Sequence, residues 1–185
     1  MSMTSSPGRL IAVVGPSGVG KDSVMAGLAA SDPGLQRVRR VITRDADQGG
    51  EDHTPMTAEA FEAAAGRGAF CLHWSAHGLR YGLPAQVLRD VNAGADLLAN
   101  CSRGALTEAA SVFPRMVVLH ITADPKVLAQ RLADRGRENA ADIERRLARA
   151  TDAIPGGLII ITVRNDGALE DTVAAAHTAL QPVRA

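Results

Sequence analysis

Only two lysines stand among the 20 lysine and arginine residues of this chain, and one of them, Lys21, ends the run Gly15-Pro16-Ser17-Gly18-Val19-Gly20-Lys21. The outer glycines and the lysine have the spacing G-x-x-x-x-G-K. Glycine lets the backbone turn through conformations other residues resist, so successive N–H groups converge on one point. A helix starting near Gly20 would add the positive end of its dipole there. That is a cradle for phosphate groups, with Lys21 supplying a compact charge for the β- and γ-phosphates. A planar, forked arginine is no substitute in so tight a space, which accounts for a lysine here in a chain otherwise given to arginine. Asp22 and Ser23 complete the predicted ATP-binding segment. Asp22 is irregular, because it takes the place where such loops carry a Ser or Thr hydroxyl toward Mg²⁺.

A second concentration of chemistry-bearing residues is the arginine series Arg131, Arg135, Arg137, Arg145, Arg146 and Arg149. Arg145 and Arg149 have acidic neighbours at helical spacing and read as a solvated face. Arg131, Arg135 and Arg146 flank a break at Gly136, as a lid needs if it closes on transferring phosphoryl charge. His53, His73 and His77 fit no common zinc spacing. Cys71 and Cys101 lie far apart with no C-x-x-C, so they read as reduced, partly buried thiols.

These residues need elements to hold them. Leu10 to Val14 is a short, apolar, β-branched strand feeding the loop, and Asp22 to Ala30 has helical spacing up to the stop at Pro33-Gly34. Arg37 to Thr43 reads as a second strand. Arg44 to Pro55 has no period and is a substrate-facing irregular segment. Thr57 caps a short helix through Ala65, and Ala69 to Trp74 with Leu79 to Tyr81 form a hairpin. Pro84 opens a helix to about Asn92. Strands at Ala95 to Ala99, Met116 to Ile121 and Leu158 to Val163 then alternate with helices from about Arg103 to Val112, from Asp124-Pro125 to Arg135-Gly136, after Asn139, and from Ala168 to Leu180. This βαβ alternation predicts an α/β fold, a parallel sheet with helices on both faces. Ligands in such sheets gather at the carboxyl ends of strands, here the loop, Arg44, Asn100 to Arg103 and the segment after Ile121.

The chain suits one domain, and its formal net charge of zero argues against a general nucleic-acid or membrane-surface binder. The N-terminal segment is too polar for a signal peptide and the apolar run behind it too short to span a membrane, so a cytoplasmic location is expected. A homodimer is compatible with the sequence.

GPSGVGK, Thr43-Arg44, Phe61-Glu62, Gly68 with Phe70, Tyr81-Gly82, the R-L-x-x-R-G run from Arg131 to Gly136, Arg146-Leu147 and Asn165-Asp166 together resemble the guanylate kinase fold family over nearly the whole chain. The resemblance implies a P-loop NTPase core of about 9–43, 94–128 and 155–185, an acceptor-binding insert of about 44–93 and an arginine-rich lid of about 129–150. It adds Asn165 to the ATP site. The departures narrow the acceptor. Asp47 stands where a second arginine is expected, His73 where a glutamate reads guanine, and Asn100-Cys101 lacks the usual aspartate. Without a carboxylate to accept guanine N–H groups, a guanine nucleotide is a poor acceptor.

GPSGVGKDS, RRVITR, GGEDH, LHWSAHGLRYGLP and the Asn100-x-Ser102-Arg103 run are instead similar to the ribose 1,5-bisphosphate phosphokinases of phosphonate catabolism. That resemblance implies transfer of the γ-phosphoryl of ATP to the 1-phosphate of ribose 1,5-bisphosphate, giving 5-phosphoribosyl 1-diphosphate (PRPP). It implies Lys21, Arg131, Arg135 and Arg146 as catalytic. Arg40, Arg44, Arg80, Tyr81, Arg103, His73, His77, Asn100 and Ser102 become acceptor-binding candidates, and Asp22 a Mg²⁺ ligand. The rival readings are a guanylate-type nucleoside monophosphate kinase and a catalytically inactive binding module of the same fold.

Overall fold

The structure, a computed structural model, describes residues 7–45, 51–134 and 153–181. Its centre is a five-stranded, all-parallel sheet in the order β2-β7-β1-β8-β9. The strands are β1 (Leu10–Val14), β2 (Leu35–Arg37), β7 (Asp96–Asn100), β8 (Val117–Thr122) and β9 (Ile159–Arg164). All five residues of β1 are fully buried, as expected of a central parallel strand covered on both faces. Strand alternation sends Leu10, Ala12 and Val14 to one face and Ile11 and Val13 to the other. The first group packs on α3 (Ala85–Asn92) and α4 (Leu106–Val112) through Val87, Val91, Leu106 and Ala109. The second packs on α1 (Lys21–Ser31), α5 (Pro125–Asp134) and α6 (Leu169–Leu180) through Val24, Met25, Leu28, Leu128, Val173 and Ala176. No helix among the described residues is long and apolar enough to cross a membrane.

A second, four-stranded sheet in the order β4-β3-β6-β5 interrupts the alternation. It comprises β3 (Val41–Ile42), β4 (Thr54–Pro55), β5 (Phe70–Ala76) and β6 (Leu79–Pro84), with α2 (Ala58–Gly66) between β4 and β5. The strand expected over Arg37 to Thr43 is therefore two strands in different sheets. Val38 donates its N–H to Leu98 O as the chain leaves the parallel sheet, while Arg40, whose carbonyl accepts from Thr54 N, already belongs to the second. At the crossing the Arg40 side chain is buried, and its guanidinium is met there by the Glu51 carboxylate, as a buried cation requires. The segment expected to be irregular up to Pro55 ends in β4, an edge position that a proline tolerates. Pro84 closes β6 and caps α3 instead of opening it. Thr57 caps α2 as expected, its hydroxyl oxygen accepting from Ala60 N at 3.2 Å. Asp124 does the same for α5, Oδ1 accepting from Lys126 N at 2.8 Å.

Candidate active site

The register of the parallel sheet brings three strand ends to one level, Val13 beside Asn100 and Val14 beside His120. From there the chain turns into the glycine loop. A Cβ on Gly15 would stand 2.4 Å from Ile121 O, so no larger residue fits this close approach. Gly20 begins α1 at φ +91°, and a Cβ there would lie 2.7 Å from Asn165 Nδ2. Lys21 Nζ donates to Gly15 O at 2.9 Å and to Pro16 O at 3.1 Å, folding the ammonium back over the loop. Burial pulls its pKa down from 10.5 to about 8. Asp22 and Glu51 counter that effect, while Arg40 and Arg103 add to it. The loop is braced from behind by Asn165, buried, which donates Nδ2–H to Val19 O at 2.8 Å and accepts from Thr172 Oγ1 at 2.9 Å. Arg131 Nη1 donates to Asn165 O at 2.8 Å, tying α5 to the same brace.

A cleft of about 940 Å³ opens beside Lys21 and joins the loop to the second sheet. Arg40, Arg44, His77, Tyr81, Asn100, Ser102 and Arg103 all line it, as do Pro16 and Ser17 of the loop. Trp74, the single tryptophan, lies on its wall, stacked on Tyr81 with centroids 5.5 Å apart at 10°. Its Nε1–H donates to Ser102 Oγ at 2.8 Å. His77 enters at the hairpin tip with φ +53°, followed by Gly78 at +75°, a tight turn with both central residues left-handed.

His73 and Arg80 are not brought to this cleft. Side chains on a strand alternate faces, and Trp74 and Tyr81 face the cleft as a cross-strand pair, so His73 and Arg80, next to them in sequence, fall outside its lining. His73 is exposed near Phe61 and Phe70, 6.3 Å from each ring. Arg80 forms an ion pair with Glu62 and lies over Phe61. Arg135 and Arg146, and the helix expected after Asn139, lie outside the described residues. Ser23 is exposed on the first turn of α1.

Two residues at the site have no role assigned from sequence, although Glu51 belongs to the GGEDH run. Glu51 reaches in from the segment that precedes β4, accepting from Arg40 Nε at 2.7 Å, from Arg40 Nη2, and from Asn100 Nδ2 at 2.8 Å. It thus supplies, from 49 residues away, a carboxylate beside Asn100 at the end of β7. His120, at the end of β8, lies with Nε2 3.3 Å from Arg103 Nη2. Burial and that guanidinium lower its pKa, which favours the neutral ring as acceptor.

Asp22 bears on a metal. Its Oδ1 is buried with no hydrogen-bond partner, and burial, reinforced by Glu51, raises its pKa. An orphaned carboxylate oxygen at the head of a phosphate cradle suits a hard divalent cation. Among the described residues no group of three or more acidic, His or Cys side chains forms a metal cage. A cation here would therefore take its other ligands from phosphate oxygens and water, the usual manner of nucleotide-bound metal.

A parallel sheet whose first strand runs into a lysine-tipped glycine loop, facing an arginine-lined cleft, defines an α/β P-loop kinase. Similar solved structures share the fold: guanylate kinase from Anaplasma phagocytophilum superposes with a TM-score of 0.66 at 18% identity, covering 97% of this chain and 88% of that one. A gluconokinase from Sinorhizobium meliloti 1021 gives a TM-score of 0.57 at 17% identity, covering 97% and 94%. No family model matches the sequence. Curated relatives named ribose 1,5-bisphosphate phosphokinase PhnN are far nearer in sequence. The protein of Ruegeria sp. strain TM1040 is 50% identical over 96% of this chain and 94% of its own length. That of Agrobacterium fabrum is 47% identical over 88% and 90%. The chain belongs to the ribose 1,5-bisphosphate phosphokinase family, and it is a kinase.

Proposed function

We propose that this chain transfers the γ-phosphoryl of ATP to the 1-phosphate of ribose 1,5-bisphosphate, giving 5-phosphoribosyl 1-diphosphate and ADP. The observation that carries the reading is the cleft itself. Arg44 and Arg103 line it together with Lys21, and the carboxylate of Glu51 is engaged by Arg40 and Asn100 instead of being offered to a guanine edge, which supports the reading. That is a site for anions and hydroxyls rather than for a base.

In this reaction an oxygen of the acceptor phosphate bonds to the γ-phosphorus as the bond to the β-phosphate oxygen of ATP breaks. The acceptor phosphate is largely ionised at neutral pH, so the chemistry calls for alignment and charge neutralisation more than for a base. The loop N–H groups and Lys21 hold the donor phosphates, and Lys21 follows the charge that develops on the leaving oxygen. Arg44 and Arg103 hold the acceptor phosphates, and Tyr81, His77 and Ser102 shape the sugar's place between them. Arg131, with Arg135 and Arg146, would complete the neutralisation on closure. Asp22 would hold Mg²⁺, which would supply charge withdrawal from the donor phosphates.

An ADP-release assay with ribose 1,5-bisphosphate and GMP side by side tests the reading, with ³¹P NMR to detect the new diphosphate. Turnover with the sugar bisphosphate alone is expected. Turnover with GMP alone would return the chain to the nucleotide kinases, and turnover with neither would make it an inactive binding module.

A further inference from the structure

Glu51 is a buried acid that the donor, the metal and the phosphate clamps do not use. Its side chain is 10% exposed and that of its partner Arg40 is 7% exposed. The Arg40 guanidinium lies 4.8 Å from the Tyr81 ring centroid and 5.8 Å from that of Trp74, so Glu51 fixes a cation against both aromatic walls of the cleft. The same carboxylate accepts from Asn100 Nδ2. An ionised carboxylate can only accept, so Asn100 must turn its NH₂ to Glu51, and its Oδ1 becomes the atom left for a ligand in the cleft. A carbonyl oxygen repels phosphate oxygens and accepts from O–H groups.

We propose that Glu51 is a positioning residue for the acceptor: by pinning Asn100 in one amide orientation, and Arg40 against Tyr81 and Trp74, it presents Asn100 Oδ1 to a hydroxyl of the acceptor sugar. This rests on the sugar-bisphosphate reading above. Glu51 itself touches no reacting atom. Replacing it with glutamine removes the acceptor-only surface, and Asn100 is then free to flip and offer NH₂ where the hydroxyl needs an oxygen.

The test measures initial rates with ATP and ribose 1,5-bisphosphate varied in turn, for the wild type, Glu51→Gln, Asn100→Ala and the double variant. Binding of the acceptor is followed separately by the fluorescence of Trp74. Each single variant is expected to raise the KM for the acceptor about tenfold while the KM for ATP stays within about twofold. The double variant is expected to be no more than about threefold worse than Asn100→Ala alone, because Glu51 acts through Asn100. A merely structural Glu51 would instead raise both KM values together, or add its full effect to that of Asn100→Ala, and either result overturns the proposal. If Glu51→Gln loses its cooperative melting transition, Asn100→Ala alone decides, and an unchanged acceptor KM there refutes it. Absence of wild-type turnover with ribose 1,5-bisphosphate would overturn the functional reading and this proposal with it. Wild-type turnover with unshifted variants would overturn this proposal only.

Discussion

Replacing Lys21 with methionine is predicted to lower kcat by roughly 10²–10³ while leaving the fold as stable as before, or more so. The ammonium has its pKa lowered from 10.5 to about 8, chiefly by burial. At about 1.4 kcal/mol per pH unit, keeping that group charged at pH 7 costs the folded state about 3 kcal/mol. Methionine removes this cost together with the bonds to Gly15 O and Pro16 O, each contributing about 1 kcal/mol. The balance favours the variant by about 1 kcal/mol, which raises the melting temperature by about 2–4 °C in a chain of this size. The catalytic loss is much larger, because a buried cation aimed at a developing phosphate charge is worth about 3–4 kcal/mol, or roughly 10²–10³ in kcat. The pH dependence has a definite sign. Since the folded pKa lies below the unfolded one, the penalty on the wild type is full below pH 8 and fades between pH 8 and 10.5. The stability advantage of the variant should shrink over that window. Thermal melts from pH 7 to 10 beside single-turnover rates make the measurement. A variant that melts many degrees lower, or one that keeps its turnover, would refute the assignment of a buried, phosphate-directed ammonium.

Asp22→Ser is expected to raise the Mg²⁺ concentration needed for half-maximal rate about tenfold. Because burial raises the Asp22 pKa, wild-type metal affinity should fall on acidification at a higher pH than an ordinary carboxylate would give, a dependence the serine variant should lack. An identical metal titration for both proteins would remove Asp22 from the site. His73→Ala and Arg80→Ala are expected to leave the acceptor KM within about twofold, since both side chains lie on the far face of the hairpin from the cleft. A tenfold rise in either would mean that the hairpin turns over in the working enzyme.

Much of this was legible along the chain because its signals are local. The glycine spacing, the β-branched run before it and the caps at Thr57 and Asp124 are each written within a few residues. The helices and parallel strands they predict are present among the described residues. The misplaced features share a different cause. The family resemblance makes His73 an acceptor candidate, but a resemblance in position does not record which face of the strand its side chain takes. The residues from Arg37 to Thr43 read as one strand because nothing in them records that the chain passes there from one sheet to another.

Glu51 makes the distinction sharpest. The sequence alone determines that a phosphate cradle with a lysine exists and that Asp22 replaces its hydroxyl, while the resemblance to guanylate kinases adds that Asn100 stands where a carboxylate is expected. Those facts depend on residue type and short spacing, which a linear chain carries in full. Only the tertiary structure decides that a carboxylate arrives beside Asn100 anyway, from 49 residues earlier in the chain. Burying Arg40 demands an acid partner, and the path of the chain between two sheets determines which acid can reach it.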